Sequence, residues 1–206
     1  MAPELATIKV HGMTRESFLL RSTLAGAAAY GTLSATGLVT RALADSGSGD
    51  IEILNYALTL EYLETEFYEL AAKQVKGLSS EESKLTKELR DNEAEHVDAL
   101  AATVKKLGGK PVAKPTFDFG GAFGNRATYL KTANTLEDTG VSAYNGAAPM
   151  IASVEVLGAA GSIVQIEARH AAMIRLVRNK PPAPSVFDQA SEMDAVLAAI
   201  KPFIMA

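Results

Sequence analysis

Apolar residues recur at helical spacing through most of the chain after residue 50. Leu54, Ala57, Leu58, Tyr68, Ala71, Ala72 and Val75 form one stripe, ended by Gly77. Asp50 stands where a residue capping a helix from Ile51 would stand. Ser79 with Glu82 has the spacing of a capping box and opens a second helix. Its stripe is Leu85, Leu89, Glu93, His96, Leu100, Val104 and Leu107, stopped by Gly108 and Gly109. A third helix is predicted over 125–148, with Leu130, Ala133, Glu137, Val141, Tyr144 and Ala148 on one face. Pro149 marks its end or a kink. A fourth is predicted over 152–178, with Val156, Ala160, Ile163, Glu167, His170, Ile174 and Val177 inward. Residues 188–200 read as a short fifth helix covering one end of the others.

These runs predict an all-α protein built on a four-helix bundle. Residues 110–124 are a long connection containing Pro111, Pro115, Phe117, Phe119 and Phe123. A loop of this length needs a reason, and a crossover between helices two and three supplies one. The phenylalanines are expected to pin it to the bundle.

The inward stripes carry an anomaly. Glu61, Glu93, Glu137 and Glu167 fall among apolar residues, and no Lys or Arg shares those stripes to neutralise them. A carboxylate in such a place must be paired, protonated or bound to metal. The sequence Glu93-x-x-His96 recurs as Glu167-x-x-His170, and Glu and His three apart share one helix face. Each pair is preceded by a Glu followed seven residues later by a Tyr: Glu61 with Tyr68, and Glu137 with Tyr144. Thr59-Leu60-Glu61 matches Thr135-Leu136-Glu137, so the two helical pairs read as an internal repeat. The order Glu, Glu-x-x-His, Glu, Glu-x-x-His is the ligand set of a di-iron or di-manganese bundle.

Charge closes on that reading. Four carboxylates and two neutral imidazoles balance two divalent ions. Hard oxygen donors with two imidazoles suit Fe or Mn, with Zn also admissible. Glu93 and Glu167 are expected to bridge the ions, with Glu61 and Glu137 terminal and one imidazole on each ion. Tyr68 and Tyr144 lie two turns beyond Glu61 and Glu137, placed to hydrogen-bond a ligand. Glu64, at the stripe's edge, is expected to be solvated or to stand behind the ligands. Glu95 and Asp98 carry the same two readings, Glu66 and Glu69 are expected in solvent, and Glu155 is expected to be exposed or to sit near a bundle end.

Composition narrows the function classes. The 206 residues carry a net charge of −4, and the body after residue 44 holds 16 basic against 22 acidic side chains. That balance argues against a nucleic-acid surface. With no cysteine, disulfides and thiolate sites are excluded. Two of the three histidines, His96 and His170, belong to the repeated motif; the other is His11.

The N-terminal segment, residues 1–44, has a different character. Ser22 to Thr40 is uncharged, with Arg15 and Arg21 before it and Arg41 after. Ala42-Leu43-Ala44 fits a cleavage site, and the whole fits an export signal. Thr14-Arg15-Glu16-Ser17-Phe18-Leu19 resembles a twin-arginine signal, although Glu16 stands at the second arginine's place. A retained membrane anchor over residues 15–41 and a helix docking on a partner are the alternatives. The division is therefore 1–44 as signal or anchor, 45–180 as bundle, and 181–206 as a C-terminal extension.

Leu54 to Tyr68 and Ile166 to Arg175 resemble the first and last helices of the ferritin-like superfamily, most closely its exported, desiccation-associated branch. The resemblance covers about residues 50–200. It implies a di-metal centre working with O2 or peroxide, either oxidising Fe(II) or acting in a peroxidase- or catalase-like manner. It implies no particular substrate. A metal-sequestering stress protein with little turnover, and a structural subunit attached to a membrane complex, are the alternative functions. The N-terminal and C-terminal extensions depart from cage-forming ferritins, and a homodimer is a further expectation.

Overall fold

The first long helix extends beyond its apolar pattern. The computed structural model describes residues 9–10, 13–14 and 35–205, with side chains from residue 49. Helix α1 runs Ala35–Gln74, so Asp50 lies inside it and caps no helix at Ile51. The Asp50 carboxylate instead accepts from the backbone N–H groups of Ala152 and Ser153, at 2.8 and 2.9 Å. It satisfies donors left free at the start of the fourth long helix, where an acidic group is favoured. Gly77, at φ 79°, turns the chain after α1.

Helix α2 spans Ser80–Lys106, opened by Ser79 in the expected reciprocal box with Glu82. Helix α3 spans Arg126–Ala147, with Asn125 capping Ala127 and Thr128. Helix α4 spans Val154–Val177 behind Ser153. The last helix, α5, covers only Met193–Ile200; residues 188–192 precede it as irregular chain. In the N-terminal segment, Lys9–Val10 and Met13–Thr14 form a short antiparallel pair, β1 and β2. Most of the signal or anchor reading falls on residues 1–8, 11–12 and 15–34, outside the described residues. The Ala42-Leu43-Ala44 triplet lies within α1. No helix among the described residues is long and apolar enough to cross a membrane.

Two apolar clusters fill the bundle. One joins Leu54 and Leu58 of α1 to Leu100 and Val104 of α2, Tyr144 of α3, and Val156 and Ile163 of α4. The other joins Leu63, Phe67 and Tyr68 to Leu89, Tyr129, Leu136 and Ile174. The Leu54–Leu58 stretch of α1 therefore meets the end of α2, while Leu63–Tyr68 meets Leu89 further up, so these helices are antiparallel. Tyr129, near the start of α3, lies with Leu89, near the start of α2, so α2 and α3 run the same way. This requires the long crossover between them. The connection begins where Asn55 receives the Val112 N–H and donates to the Lys110 carbonyl. It reaches the opposite end, where Phe117 and Phe119 are buried, Phe119 against Phe67 and Phe203 and Phe117 against Phe119.

Two positions in the predicted stripes, Leu107 and Ala72, and Leu197 of the last helix face outward. Leu107 is 37 % and Leu197 40 % exposed, and Ala72 is exposed near the end of α1. Leu107 is already past the last turn of α2, at its C-cap. Val196 and Ile200 do the covering from α5. Each fully buried Leu, such as Leu58 or Leu89, contributes about 1.5–3 kcal/mol relative to exposure.

Candidate metal centre

Between the two apolar clusters lies a belt of buried acids. Each arises because the helical period that buries its apolar neighbours also buries the acid. Glu61 follows Leu58, Glu93 follows Leu89, Glu137 follows Ala133, and Glu167 follows Ile163, each by three or four residues. Glu61, Glu93, Glu137, Glu167 and His170 are all fully buried, and the His96 side chain is 12 % exposed.

Their polar atoms fall into two overlapping groups. Glu61, Glu93, His96 and Glu167 each place a ligand-type atom within 4.8 Å of the others; so do Glu93, Glu137, Glu167 and His170. Glu93 and Glu167 belong to both. His96 Nδ1 lies 3.2 Å from Glu61, 2.9 Å from Glu93 and 3.1 Å from Glu167. His170 Nδ1 lies 2.7 Å from Glu93 and 3.5 Å from Glu137. The two imidazole rings are 6.3 Å apart. The structure thus brings all six sequence-selected acids and histidines to one place.

Many of these atoms approach one another without hydrogen-bond alignment. Glu93 Oε1, Glu137 Oε2, both Glu167 oxygens and His170 Nδ1 have no hydrogen-bond partner among the described residues. Buried polar atoms are ordinarily satisfied. Lone pairs that converge without bonding one another are arranged around common points, and this donor set suits divalent cations. The residues present therefore fit a pair of metal ions.

The electrostatics agree. Burial pushes the Glu61 carboxyl up to about 7, against its contact with His96. Burial, reinforced by the neighbouring carboxylates, raises Glu167 well above the usual range. Glu137 is raised by burial too. Burial opposes ionisation of Glu93 as well, but its contacts with His170 and His96 outweigh this and hold it near 2. Burial lowers both imidazoles, yet the surrounding acids prevail, lifting His96 to about 12 and His170 to about 10. Protons thus supply the positive charge that cations would otherwise bring.

The two tyrosines bond across the repeat. Tyr68 on α1 donates to Glu137 on α3. Tyr144 on α3 donates to Glu61 Oε1 on α1 at 2.5 Å. Both phenols are buried, which holds them protonated and donating. Sequence reasoning placed the tyrosines near the ligands, but not the exchange between halves.

Two further residues belong to the site. Glu64 is only 2 % exposed, so it is not a solvated acid. The Asn92 side-chain amide lies 3.1 Å from His170 Nε2. The Asn92 atom in contact is the amide nitrogen Nδ2, which donates and so meets Nε2 only where that ring nitrogen carries no proton. The signal for Asn92 was its position beside Glu93 in the motif; the equivalent of Asn92 in the second half is Ile166, which hid its role. Elsewhere Glu69 pairs with Lys73 and Glu155 with Lys106 in solvent, and Glu95 and Asp98 are exposed, while Glu66, expected in solvent, is half-buried and pairs with Lys114.

An all-α bundle enclosing a Glu/His cluster defines the class. The chain belongs to the ferritin-like domain family, whose profile matches residues 49–180. Among solved structures it is similar to a conserved hypothetical protein from Mycobacterium tuberculosis, at 17 % identity and a TM-score of 0.58, covering 69 % of this chain and 99 % of that one. That likeness speaks for the fold. No curated protein matches the chain.

Proposed function

We propose that the bundle holds two Fe or Mn ions and uses them in oxidation chemistry with O2 or peroxide. The observation that supports this best is the pair of overlapping ligand groups sharing Glu93 and Glu167. In this reading Glu93 and Glu167 would be shared by both ions, with Glu61 and His96 completing one position and Glu137 and His170 the other. The ions, when bound, supply redox change and an oxygen-binding position. The chain's own part is to hold them. Tyr68 and Tyr144 fix Glu137 and Glu61, Asn92 contacts the His170 ring, and the two apolar clusters keep bulk water from the belt. His96, the one partly exposed ligand candidate, marks the side nearest solvent.

The test is metal content per chain in protein purified from its own host, followed by reaction with Fe(II) and O2 or with peroxide. About two Fe or Mn per chain with rapid oxidation supports the reading. Two ions held without turnover would move the function to sequestration, and no metal would leave a scaffold. We also assign the protein to the exported branch of the family, with residues 1–44 as signal or anchor. That assignment rests on the uncharged Ser22–Thr40 stretch and its flanking arginines. Fractionation of cells with N-terminal sequencing of the recovered chain tests it.

A further inference from the structure

A small cavity opens inside one apolar cluster, beside the acidic belt. Tyr56 and Ala57 of α1, Leu100 of α2, Tyr144 and Ala147 of α3, and Ala160 of α4 stand in its wall. About 10 Å³ of it is open to the centre of a water-sized sphere, which is room for one small molecule. Only carbon faces that space. The Tyr144 hydroxyl is committed to Glu61, and the buried Tyr56 hydroxyl turns no surface to the cavity. Water or hydrogen peroxide entering there gives up its hydrogen bonds and finds none in return. An apolar molecule of the same size, such as O2, gives up nothing.

The cavity lies against one half of the belt. Ala57 stands one turn before Glu61, and Leu100 one turn after His96. Four residues of helix separate wall from ligand candidate by about 6 Å along the axis. Glu61 and His96 are the two residues found in only the first of the ligand groups.

The repeat could have closed this space and did not. The register that carries Glu61 onto Glu137 and His96 onto His170 carries Ala57 onto Ala133 and Leu100 onto Ile174, and Tyr68 is the counterpart of Tyr144. At that other place Phe67 and Tyr129 pack on Tyr68, with ring centroids 5.3 and 6.5 Å away. Thr86, the counterpart of Ala160, meets the Tyr129 hydroxyl at 2.8 Å. Cores ordinarily fill such gaps.

We infer that the cavity is a binding site for one O2 molecule, on the Glu61–His96 side of the centre and closed to peroxide. This deepens the di-metal reading and rests on it: O2 becomes the oxidant, and it reaches the centre from one side.

Xenon is an apolar probe for such a site and needs no metal. Under xenon pressure, the methyl resonances of Ala57, Leu100 and Ala160 in the full chain are expected to shift together and saturate at one atom per chain. Ala160→Val and Ala147→Val fill the space from separate helices, so one serves if the other misfolds. Each is expected to lose the xenon response and to keep two metal ions. Each is expected to slow Fe(II) oxidation by O2 about tenfold, as hindered entry does, and to leave oxidation by hydrogen peroxide at the wild-type rate. No xenon response in the wild type would overturn the inference. So would a xenon-free variant that reacts with O2 at the wild-type rate, or one slowed equally with O2 and peroxide. Xenon binding in a wild type that takes up no metal is a different failure, overturning the di-metal reading and not the apolar site.

Discussion

The Tyr144 hydroxyl donates to Glu61 at 2.5 Å, tying α3 to α1 at the level of the acidic belt. The phenol orients the carboxylate without lying in either ligand group. Tyr144→Phe is therefore expected to retain two metal ions and to slow Fe(II) oxidation by about tenfold. Metal analysis beside stopped-flow oxidation separates the two effects. Loss of metal would instead make the hydroxyl a requirement for binding.

Glu93 and Glu167 are common to both ligand groups, so removing either strips an oxygen donor from both positions. Glu93→Ala or Glu167→Ala is expected to abolish two-metal occupancy. Full occupancy in either variant, measured by elemental analysis, would end the bridging assignment.

The metal-free protein has a definite pH signature. Glu61 is raised to about 7, with Glu137 and Glu167 also raised, and His96 and His170 are raised to about 12 and 10. Between pH 5 and 8 the folded state then holds more protons than the unfolded one. Stability must fall as pH rises through that window, by about 1.4 kcal/mol per pH unit for each excess proton. Glu93, held near 2, contributes the opposite slope, but only below its unfolded value near pH 4.5. Thermal melts of chelator-treated protein from pH 5 to 8 check the sign. Metal replaces those protons, so affinity is expected to rise with pH over the same window.

Asp50 joins α1 to the first turn of α4 through two backbone donors. Asp50→Ala leaves both unsatisfied and is expected to cost about 1–3 kcal/mol. Urea unfolding measures the loss, and faster amide exchange at Ala152 and Ser153 locates it.

Gly146 approaches the C-terminal extension so closely that a Cβ there would lie 1.9 Å from the Ser191 carbonyl oxygen. The Ser191 N–H bonds to the Ser142 carbonyl at 2.9 Å beside it. Gly146→Ala is expected to dislodge residues 181–192, read as accelerated proteolytic cleavage there with the helical content of the bundle retained.

The helices and the six ligand candidates were legible because both obey the same period. A residue such as Glu93 announces itself by lying in register with Leu89 and Leu100. What escaped depends on contacts between distant segments. Asp50 looked like a local cap because the local signal for capping is strong; its true partners, Ala152 and Ser153, lie in another helix's approach. Glu64 sits one turn beyond Glu61, at the stripe's margin, and its burial depends on Gly140 across the bundle. The over-long fifth helix had the same cause: residues 188–192 are held by Asn145 and Ser142 of α3 rather than by their own turns.

The exchange of phenol bonds between the halves also sets an order of events in the cell. The N-terminal hairpin alone carries Glu61, Glu93 and His96, but its Tyr68 has nothing to hold and its Glu61 nothing to hold it. No ligand group is whole until α4 has been synthesised and docked. On the proposed reading, metal loading would thus be a final step, open only to a chain that has finished folding around the acidic belt.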